Sequence, residues 1–323
     1  MQRRQFLTAA AGLLTLAAAD AAKAEGVLPR VEDDARAARA WNASRRYLPT
    51  KFGDIAYVER GVGPVALFLH GFPLNSFQWR GAVERLSPYR RCIAPDSLGL
   101  GFTRVAAGQD VAPSDQADML AAFLDTLGIA SVDLIANDSG GAVAQIFVTR
   151  FPNRVRTLLL TNCDVEPDSP PPALQPVLAL AREGTYPDQW LVPWFNDHKL
   201  ARSPQGFGGM CFSDPNQPTD AAIEMYFGPL VATSASKALV NAYTLGLDPN
   251  PLAGIEAALR QCKVPTRIVW GMADDIFSKD SPDYLDAILP NSRGVRRLPK
   301  AKLFWPEEYP DVVAEEARKL WGV

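Results

Sequence analysis

The chain has 323 residues, of which 47% are hydrophobic and 21% are charged, with 23 glycines and 27 prolines. This composition suits a globular protein with a sizeable core, and it excludes a disordered, collagen-like or disulfide-dense chain. The formal net charge is -3, the body carries no block of Lys or Arg, and the whole chain contains two histidines. We therefore expect no nucleic-acid partner.

The first 24 residues have the pattern of an export signal. Arg3-Arg4 precedes Gln5-Phe6-Leu7, an Ala/Leu run extends to Ala19, and Ala22-Lys23-Ala24 ends the segment. A charged start, a short apolar stretch and an Ala-x-Ala end are typical of a secretory signal. The paired arginines indicate the twin-arginine type, which exports folded proteins. We predict a signal peptide over residues 1–24, passage through the twin-arginine export machinery, a periplasmic or secreted protein, and no stable membrane insertion after signal removal. An N-terminal anchor helix is the alternative.

Apolar runs alternate with helical patterns along the body of the chain. Strands are predicted at residues 45–51, 53–59, 65–69, 92–94, 132–136, 155–161 and 266–270, with a more charged edge strand at 294–298. Helices are predicted from a cap at Ser114 to Leu127, after residue 139 as far as Pro152, and over about residues 307–321. Continuous apolar strands alternating with helices predict an α/β fold with a doubly wound, mainly parallel sheet.

Residues 165–259 break the alternation, because they contain no run typical of a buried strand. The stretch opens with Pro167 and Pro170-Pro171-Pro172 and is rich in Trp, Phe and helical patches. It is too long for a plain connection. We predict a mostly helical cap here, inserted between core segments 45–164 and 260–323.

The four cysteines do not have the spacing of metal ligands. Cys92, Cys163, Cys211 and Cys262 would allow two disulfides in an exported protein, but buried thiols are the simpler expectation. The sequence also lacks a phosphate loop and a dinucleotide fingerprint. We predict no metal and no cofactor.

The segment Ala136-Asn137-Asp138-Ser139-Gly140-Gly141 has the form of a nucleophile elbow. In such an elbow, a sharp strand-to-helix turn lifts one side chain above the carboxyl edge of the sheet. The central residue here is Asp138. A carboxylate that only caps the helix is the alternative, although an apolar elbow is a poor place to bury a charge for capping alone.

With this elbow, the chain resembles the α/β-hydrolase superfamily from about Tyr47 to its C-terminus. It is most similar to the aspartate-nucleophile branch, which includes haloalkane dehalogenases and epoxide hydrolases. His70-Gly71-Phe72-Pro73 resembles the oxyanion-hole loop, Ala94-Pro95-Asp96-Ser97-Leu98-Gly99 the next turn, and Trp270-Gly271-Met272-Ala273-Asp274 the turn that carries the acid of the triad.

The resemblance implies a role for each matching position. Asp138 would be the nucleophile, and the backbone N–H groups of Phe72 and Ser139 would form the oxyanion or leaving-group pocket. Asp274 would orient a catalytic histidine. Ser139 stands where many relatives have a Trp that holds the halide, which disfavours dehalogenation.

The histidine that the resemblance implies is missing. The family places it in a Pro-x-Ala-Gly-His-Phe-like context, and the matching stretch, Pro299-Lys300-Ala301-Lys302-Leu303-Phe304, has Leu303 in its place. An enzyme ester on Asp138 needs water activated by a base for its release. Three alternatives follow: His198 of the cap substitutes as the base, Asp138 is itself the general base of a lyase or isomerase, or the protein binds a ligand without turnover.

The expected function is that of an enzyme, a hydrolase acting through Asp138 on a small apolar organic molecule with an ester, epoxide or C–halogen bond. The remaining substrate-binding candidates are His70, Trp79, Trp194 and Tyr226, of which His70 is expected mainly to order its loop. Aromatic cap residues are typical of the walls of small-molecule sites. Tyr186, Tyr226 and Tyr243 are the cap tyrosines that would donate to an epoxide oxygen.

Overall fold

A computed structural model of the chain describes residues 31–323, so the predicted signal peptide lies outside the described residues. The centre of the molecule is a nine-stranded sheet with the order β1-β2-β4-β3-β6-β7-β8-β9, and β5 lies beside β2. The strands are β1 (Arg46–Thr50), β2 (Gly53–Arg60), β3 (Val65–Leu69), β4 (Arg91–Pro95), β5 (Arg104–Val105), β6 (Val132–Asp138), β7 (Val155–Cys163), β8 (Thr266–Gly271) and β9 (Ser292–Leu298).

The sheet is mainly parallel, as predicted. From β4 to β9 every neighbouring pair is parallel, whereas β1, β2 and β5 form the antiparallel end. Every residue of β3 and β6 is buried, so neither strand alternates between apolar and polar residues; β3 is apolar throughout, and in β6 Asp133 interrupts the apolar run before Asn137 and Asp138. The α/β class and the predicted strands are confirmed.

Fourteen α-helices occur in residues 31–323. They are α1 (Val31–Ser44), α2 (Arg80–Leu86), α3 (Pro113–Thr126), α4 (Ser139–Arg150), α5 (Gln175–Arg182), α6 (Val192–Asn196), α7 (His198–Ala201), α8 (Phe207–Cys211), α9 (Asp220–Val231), α10 (Ser234–Leu245), α11 (Glu256–Leu259), α12 (Ser281–Ile288), α13 (Trp305–Glu308) and α14 (Pro310–Trp321). Helices α5 to α11 lie between β7 and β8, together with a π-helical turn at Pro187–Leu191. None of the helices in residues 31–323 is long and apolar enough to cross a membrane.

Two predicted helix boundaries are wrong because of proline. Helix α3 begins at Pro113 with Ala112 as its N-cap, rather than with a Ser114 cap, since proline favours the first helical position. The single predicted C-terminal helix is two helices that break at Tyr309, because Pro310 disfavours helical backbone in the residue before it.

Helix α1 lies before the predicted start of the core at residue 45 and was not predicted. Its Trp41 is buried, and the indole N–H donates to Ser76 Oγ at 3.2 Å. Asp34 is also buried; it accepts a hydrogen bond from Arg80 Nε at 2.7 Å and another from the hydroxyl of Thr219. Since Thr219 caps α9, helix α1 links the core to the segment between β7 and β8.

Candidate active site

Asp138 ends β6 in a strained turn at the carboxyl edge of the sheet. Its φ is 56°, the left-handed region that side chains other than glycine rarely adopt. The helix that follows approaches closely, because a Cβ atom on Gly140 would lie 2.5 Å from the carbonyl oxygen of His70. A Cβ atom on Gly71 would lie 2.6 Å from Asp138 Cβ. The small residues of both segments therefore allow the elbow to form.

The carboxylate of Asp138 is held through one oxygen. The backbone N–H of Phe72 donates to Oδ1 at 3.1 Å, and the backbone N–H of Ser139 donates to the same oxygen. Burial raises the pKa of Asp138 to about 6, against the lowering effect of these two hydrogen bonds. The two N–H groups predicted as an oxyanion pocket thus already hold negative charge.

A hydroxyl from the segment between β7 and β8 reaches the elbow. The Tyr243 hydroxyl on α10 donates to Ser139 Oγ at 3.0 Å, and its ring stacks on Phe72 with centroids 5.4 Å apart. Burial raises the pKa of Tyr243, so the phenol stays protonated at neutral pH. Of the cap tyrosines considered from the sequence, Tyr243 is the one bonded to a residue of the elbow.

A cavity of about 130 Å³ lies over Asp138. The predicted site residues Phe72, Asp138, Ser139 and Trp194 line it together with Leu303. The remaining walls are mainly apolar or aromatic and comprise Pro73, Asp164, Pro171, Ala173, Leu174, Val177, Tyr186, Trp190, Phe207, Met210, Cys211, Leu247, Ile276 and Phe277. Such a cavity suits a small apolar molecule.

Asp274 lies just beyond β8 and is 1% exposed. Asn162 Nδ2 donates to its Oδ2 at 2.8 Å, and the backbone N–H of Ile276 donates to its Oδ1 at 2.9 Å. Burial raises the pKa of Asp274 to about 6, opposed by these hydrogen bonds. The acid is therefore held rigidly by neutral donors.

Leu303 forms part of the cavity wall and is 2% exposed. Its backbone carbonyl accepts a hydrogen bond from Asn137 Nδ2 at 3.2 Å, which fixes the loop to the elbow. The neighbouring Phe304 ring packs on Phe207 and Phe212, with centroids 5.8 and 5.7 Å apart. An apolar side chain thus occupies the position where a proton acceptor is expected.

Residues 64–301 match the model of a family described as having the alpha/beta hydrolase fold. The chain belongs to this family. It is an enzyme of the α/β-hydrolase superfamily and resembles the haloalkane dehalogenases.

Known proteins similar to this α/β hydrolase include two curated relatives. It is 28% identical over 248 residues to the cis-3-alkyl-4-alkyloxetan-2-one decarboxylase of Shewanella oneidensis, covering 73% of this chain and 75% of the relative. It is 27% identical over 293 residues to haloalkane dehalogenase 2 of Mycobacterium tuberculosis, covering 86% and 94%. The structure of an alpha/beta hydrolase fold protein from Burkholderia ambifaria matches with a TM-score of 0.73 and 23% identity, over 85% of this chain and 97% of the other.

His70 orders the oxyanion loop of this α/β hydrolase and is completely buried. Its Nδ1 lies 2.9 Å from the carbonyl oxygen of Gly71, and its Nε2 accepts a hydrogen bond from the backbone N–H of Ser97 at 3.0 Å. Burial lowers the pKa of His70, so the neutral ring with hydrogen on Nδ1 fits both contacts. Because both ring nitrogens are engaged, His70 does not serve the cavity as a substrate contact.

Four other candidates do not line the cavity, and the acid Asp274 is one of them. His198 lies at the start of α7, with Nδ1 3.0 Å from Asp220 Oδ1, so this cap histidine is held at the surface and not over Asp138. Trp79 is completely buried in the core against Phe68. Tyr226 is drawn away because its hydroxyl donates to Glu307 Oε2 at 2.6 Å.

Two further polar residues lie in the cavity wall: Tyr186, one of the tyrosines expected to donate to an epoxide oxygen, and Asp164, which was not predicted from the sequence. Asp164 follows directly after β7, and Tyr186 precedes the π-helical turn. The position of Asp164 at the end of a buried strand is a signal that would have identified it, because the carboxyl ends of parallel strands share one edge.

Proposed function

We propose that this α/β hydrolase acts on a small, uncharged, apolar electrophile through nucleophilic attack by Asp138, which forms a covalent enzyme ester. The observation that carries this proposal is the holding of Asp138 Oδ1 by the N–H groups of Phe72 and Ser139. With Oδ1 held, Oδ2 is the oxygen available for attack. The same N–H groups then stabilise the oxyanion that forms when the ester is cleaved.

The first step balances without any cofactor. Oδ2 of Asp138 forms a bond to the electrophilic carbon while the bond to the leaving group breaks, and a halide would depart with the electron pair. An epoxide oxygen would instead need a proton. Tyr186 lines the cavity, and burial raises its pKa, which keeps its phenol available as a donor.

The charge of the cavity favours an uncharged substrate. Asp138 and Asp164 both line it, and no Lys or Arg of residues 31–323 does so. An anionic substrate would be repelled and left without a positive partner. The relatives named as an oxetanone decarboxylase and a haloalkane dehalogenase support the same choice, since both names specify uncharged electrophiles.

A second candidate is a non-hydrolytic reaction, and the apolar Leu303 favours it. In a decarboxylation of an oxetan-2-one, Asp138 would attack C4, the alkyl carbon bonded to the ring oxygen. The ring would open, and the ring oxygen would become part of a free carboxylate on the substrate. Loss of CO₂ would then form the C=C bond and expel the Asp138 carboxylate, so no activated water is needed. Asp138 acting directly as a general base is the other non-hydrolytic route.

Intact-protein mass spectrometry tests the proposal. Wild type, Asp138→Asn and the exposed control Asp275→Asn are each incubated with a short 1-bromoalkane, a terminal epoxide and a 3,4-dialkyl oxetan-2-one, with product assayed in the same tubes. We expect product or added mass with wild type and the control, and neither with Asp138→Asn. Turnover that Asp138→Asn retains would refute the nucleophile. Alkene and CO₂ from the oxetanone alone would select the second candidate.

We also propose that the enzyme is exported by the twin-arginine route, on the strength of Arg3-Arg4 and the Ala-x-Ala end of residues 1–24. Replacing both arginines by lysine should retain the full-length precursor inside the cell, whereas wild type should be recovered outside the inner membrane as a shortened chain. If wild type and the double-lysine variant were distributed equally between the inside and the outside of the inner membrane, the twin-arginine signal would be refuted.

A further inference from the structure

Asp164 is a buried carboxyl group in the cavity wall that the attack by Asp138 does not use. It is 5% exposed and lines the same cavity as Asp138. In the pairing of β6 with β7, Asp138 lies opposite Cys163, so Asp164 is the next residue along the same edge of the sheet. The two carboxyl groups thus share one end of the cavity.

We propose that Asp164 takes the place of the missing histidine, as the general base that activates the water which cleaves the Asp138 ester. This inference rests on the proposed function, because it concerns the second half of that reaction. It assigns a proton-transfer role to a residue of the adjacent strand, and leaves Leu303 as part of the apolar wall.

The surroundings of Asp164 hold it in place while leaving it able to accept a proton. Gln145 Nε2 donates to its backbone carbonyl at 2.8 Å, and Ser169 Oγ donates to its Oδ1 at 2.9 Å. In the described part of the chain, Ser169 is the side chain that donates to this carboxylate. The second oxygen, Oδ2, is therefore the one that would receive a proton from water.

The titratable groups facing Asp164 come from several elements. They are Asp138 at the elbow, Asp168 in the turn that follows β7, the protonated phenol of Tyr243 on α10 and the buried thiol of Cys163. None of them is a cation. Burial, followed by the charge of Asp138, raises the pKa of Asp164 to about 7, which suits a base operating near neutral pH.

Esterification of Asp138 makes Asp164 easier to deprotonate. The ester is neutral, so the repulsion that raises the pKa of Asp164 disappears and its pKa falls. Asp164 consequently loses its proton more readily once the intermediate exists. Before attack, the same repulsion favours a single negative charge on the pair.

The proposed step balances in atoms and charge. Water attacks Cγ of the Asp138 ester, one of its protons passes to Asp164 Oδ2, and the tetrahedral oxyanion is held by the N–H groups of Phe72 and Ser139. The bond between Cγ and the alkyl oxygen then breaks, and the alkoxide takes the proton from Asp164 to leave as an alcohol. Asp138 is left as the acid, which loses its proton to solvent.

The test follows the lifetime of the covalent intermediate. Wild type, Asp164→Asn, Asp164→Glu and Asp275→Asn are mixed with a short 1-bromoalkane, quenched at increasing times and weighed intact, with alcohol measured in parallel. In Asp164→Asn we expect the alkyl adduct to form and then persist, with decay slowed by about 100-fold or more, the usual contribution of a general base. Asp275→Asn should behave as wild type, and Asp164→Glu should recover part of the decay rate.

A stalled adduct on Asp164→Asn shows at once that the variant is folded and can attack. Adduct decay in Asp164→Asn at the wild-type rate would overturn the inference while leaving the nucleophile intact. A wild-type adduct that never decays would also overturn it. Neither adduct nor alcohol with wild type would refute the proposed function itself, and this inference with it.

Discussion

Replacement of Asp274 by Asn tests whether this acid lacks a positive partner, as its contacts within residues 31–323 indicate. Its described donors are Asn162 Nδ2 at 2.8 Å, the backbone N–H of Ile276 at 2.9 Å and the backbone N–H of Phe277, and all of them are neutral. Burial holds its pKa at about 6, compared with the ordinary value of 3.8. In a triad the acid would face a histidine that becomes positively charged, and a positive neighbour would lower that pKa.

The raised pKa has a consequence for the free energy of unfolding. A carboxyl group whose pKa is higher in the folded state stabilises the fold fully below the unfolded pKa, and this stabilisation is lost as pH rises through the folded pKa. The difference between about 6 and 3.8, at ~1.4 kcal/mol per pKa unit, corresponds to about 3 kcal/mol. Roughly 2 kcal/mol of that is lost between about pH 4.5 and pH 8.

The Asp274→Asn variant lacks this pH-dependent loss. The Asn amide brings a donor towards Asn162 and should cost about 1 kcal/mol at about pH 4.5, where wild-type Asp274 is mostly neutral. At about pH 8 the order should reverse, with the variant more stable by about 1 kcal/mol. Urea unfolding followed by tryptophan fluorescence at both pH values measures the difference, with exposed Asp280→Asn as the matched control. A difference that stays constant with pH would show that the pKa of Asp274 is not raised in the folded state, and a variant that loses stability relative to wild type as pH rises would show that a positive group stabilises the carboxylate.

Three further predictions concern the site and its support. Tyr243→Phe removes the hydroxyl bonded to Ser139; adduct formation should slow by about 5-fold, in line with a lost hydrogen bond of ~1 kcal/mol, and an unchanged rate in a rapid-quench mass assay would contradict this. Leu303→His added to Asp164→Asn should restore alcohol release from the stalled adduct, and a persistent adduct would show that the introduced ring does not reach the ester. Asp34→Asn removes one of two carboxylates bonded to the partly buried Arg80. It should lower the free energy of unfolding by about 2 kcal/mol, and a loss under ~0.5 kcal/mol would contradict the anchoring role of α1.

The central sheet and the elbow were predictable because their signals are local. Strands buried on both faces are mostly apolar along their length, so β3 is visible as a continuous run and β6 as a run that Asp133 interrupts. The elbow requires small residues where strand and helix approach, and Gly140 satisfies that requirement within the motif itself. Helix α1 escaped prediction because most of its exposed surface is polar, and its buried contacts, Trp41 and Asp34, are made with residues distant in sequence.

The polar contacts of the cavity depend on register and docking, which the sequence does not display. Asp164 follows Asp138 by 26 residues in the sequence, and the pairing of β6 with β7 brings the two residues side by side. Tyr243 reaches Ser139 only because α10 docks on the oxyanion loop, where its ring stacks on Phe72. His198 was a candidate base because histidines are rare in this chain. In the structure its partner is Asp220, the first residue of α9.

The loss of the histidine is more than a change at one position. Phe304 lies beside Leu303, and its ring packs on Phe207 and Phe212. A Cβ atom on Gly71 would lie 2.9 Å from Cε1 of this ring. Around a charged imidazole this apolar shell would be unfavourable, since burial disfavours the protonated ring. The loop after β9 therefore favours Leu over His by its packing, while the strand edge that carries Asp164 keeps a carboxyl group with a pKa of about 7 in the same cavity. The proposed proton transfer therefore uses Asp164 at the end of β7, and not the loop in which the superfamily places its histidine.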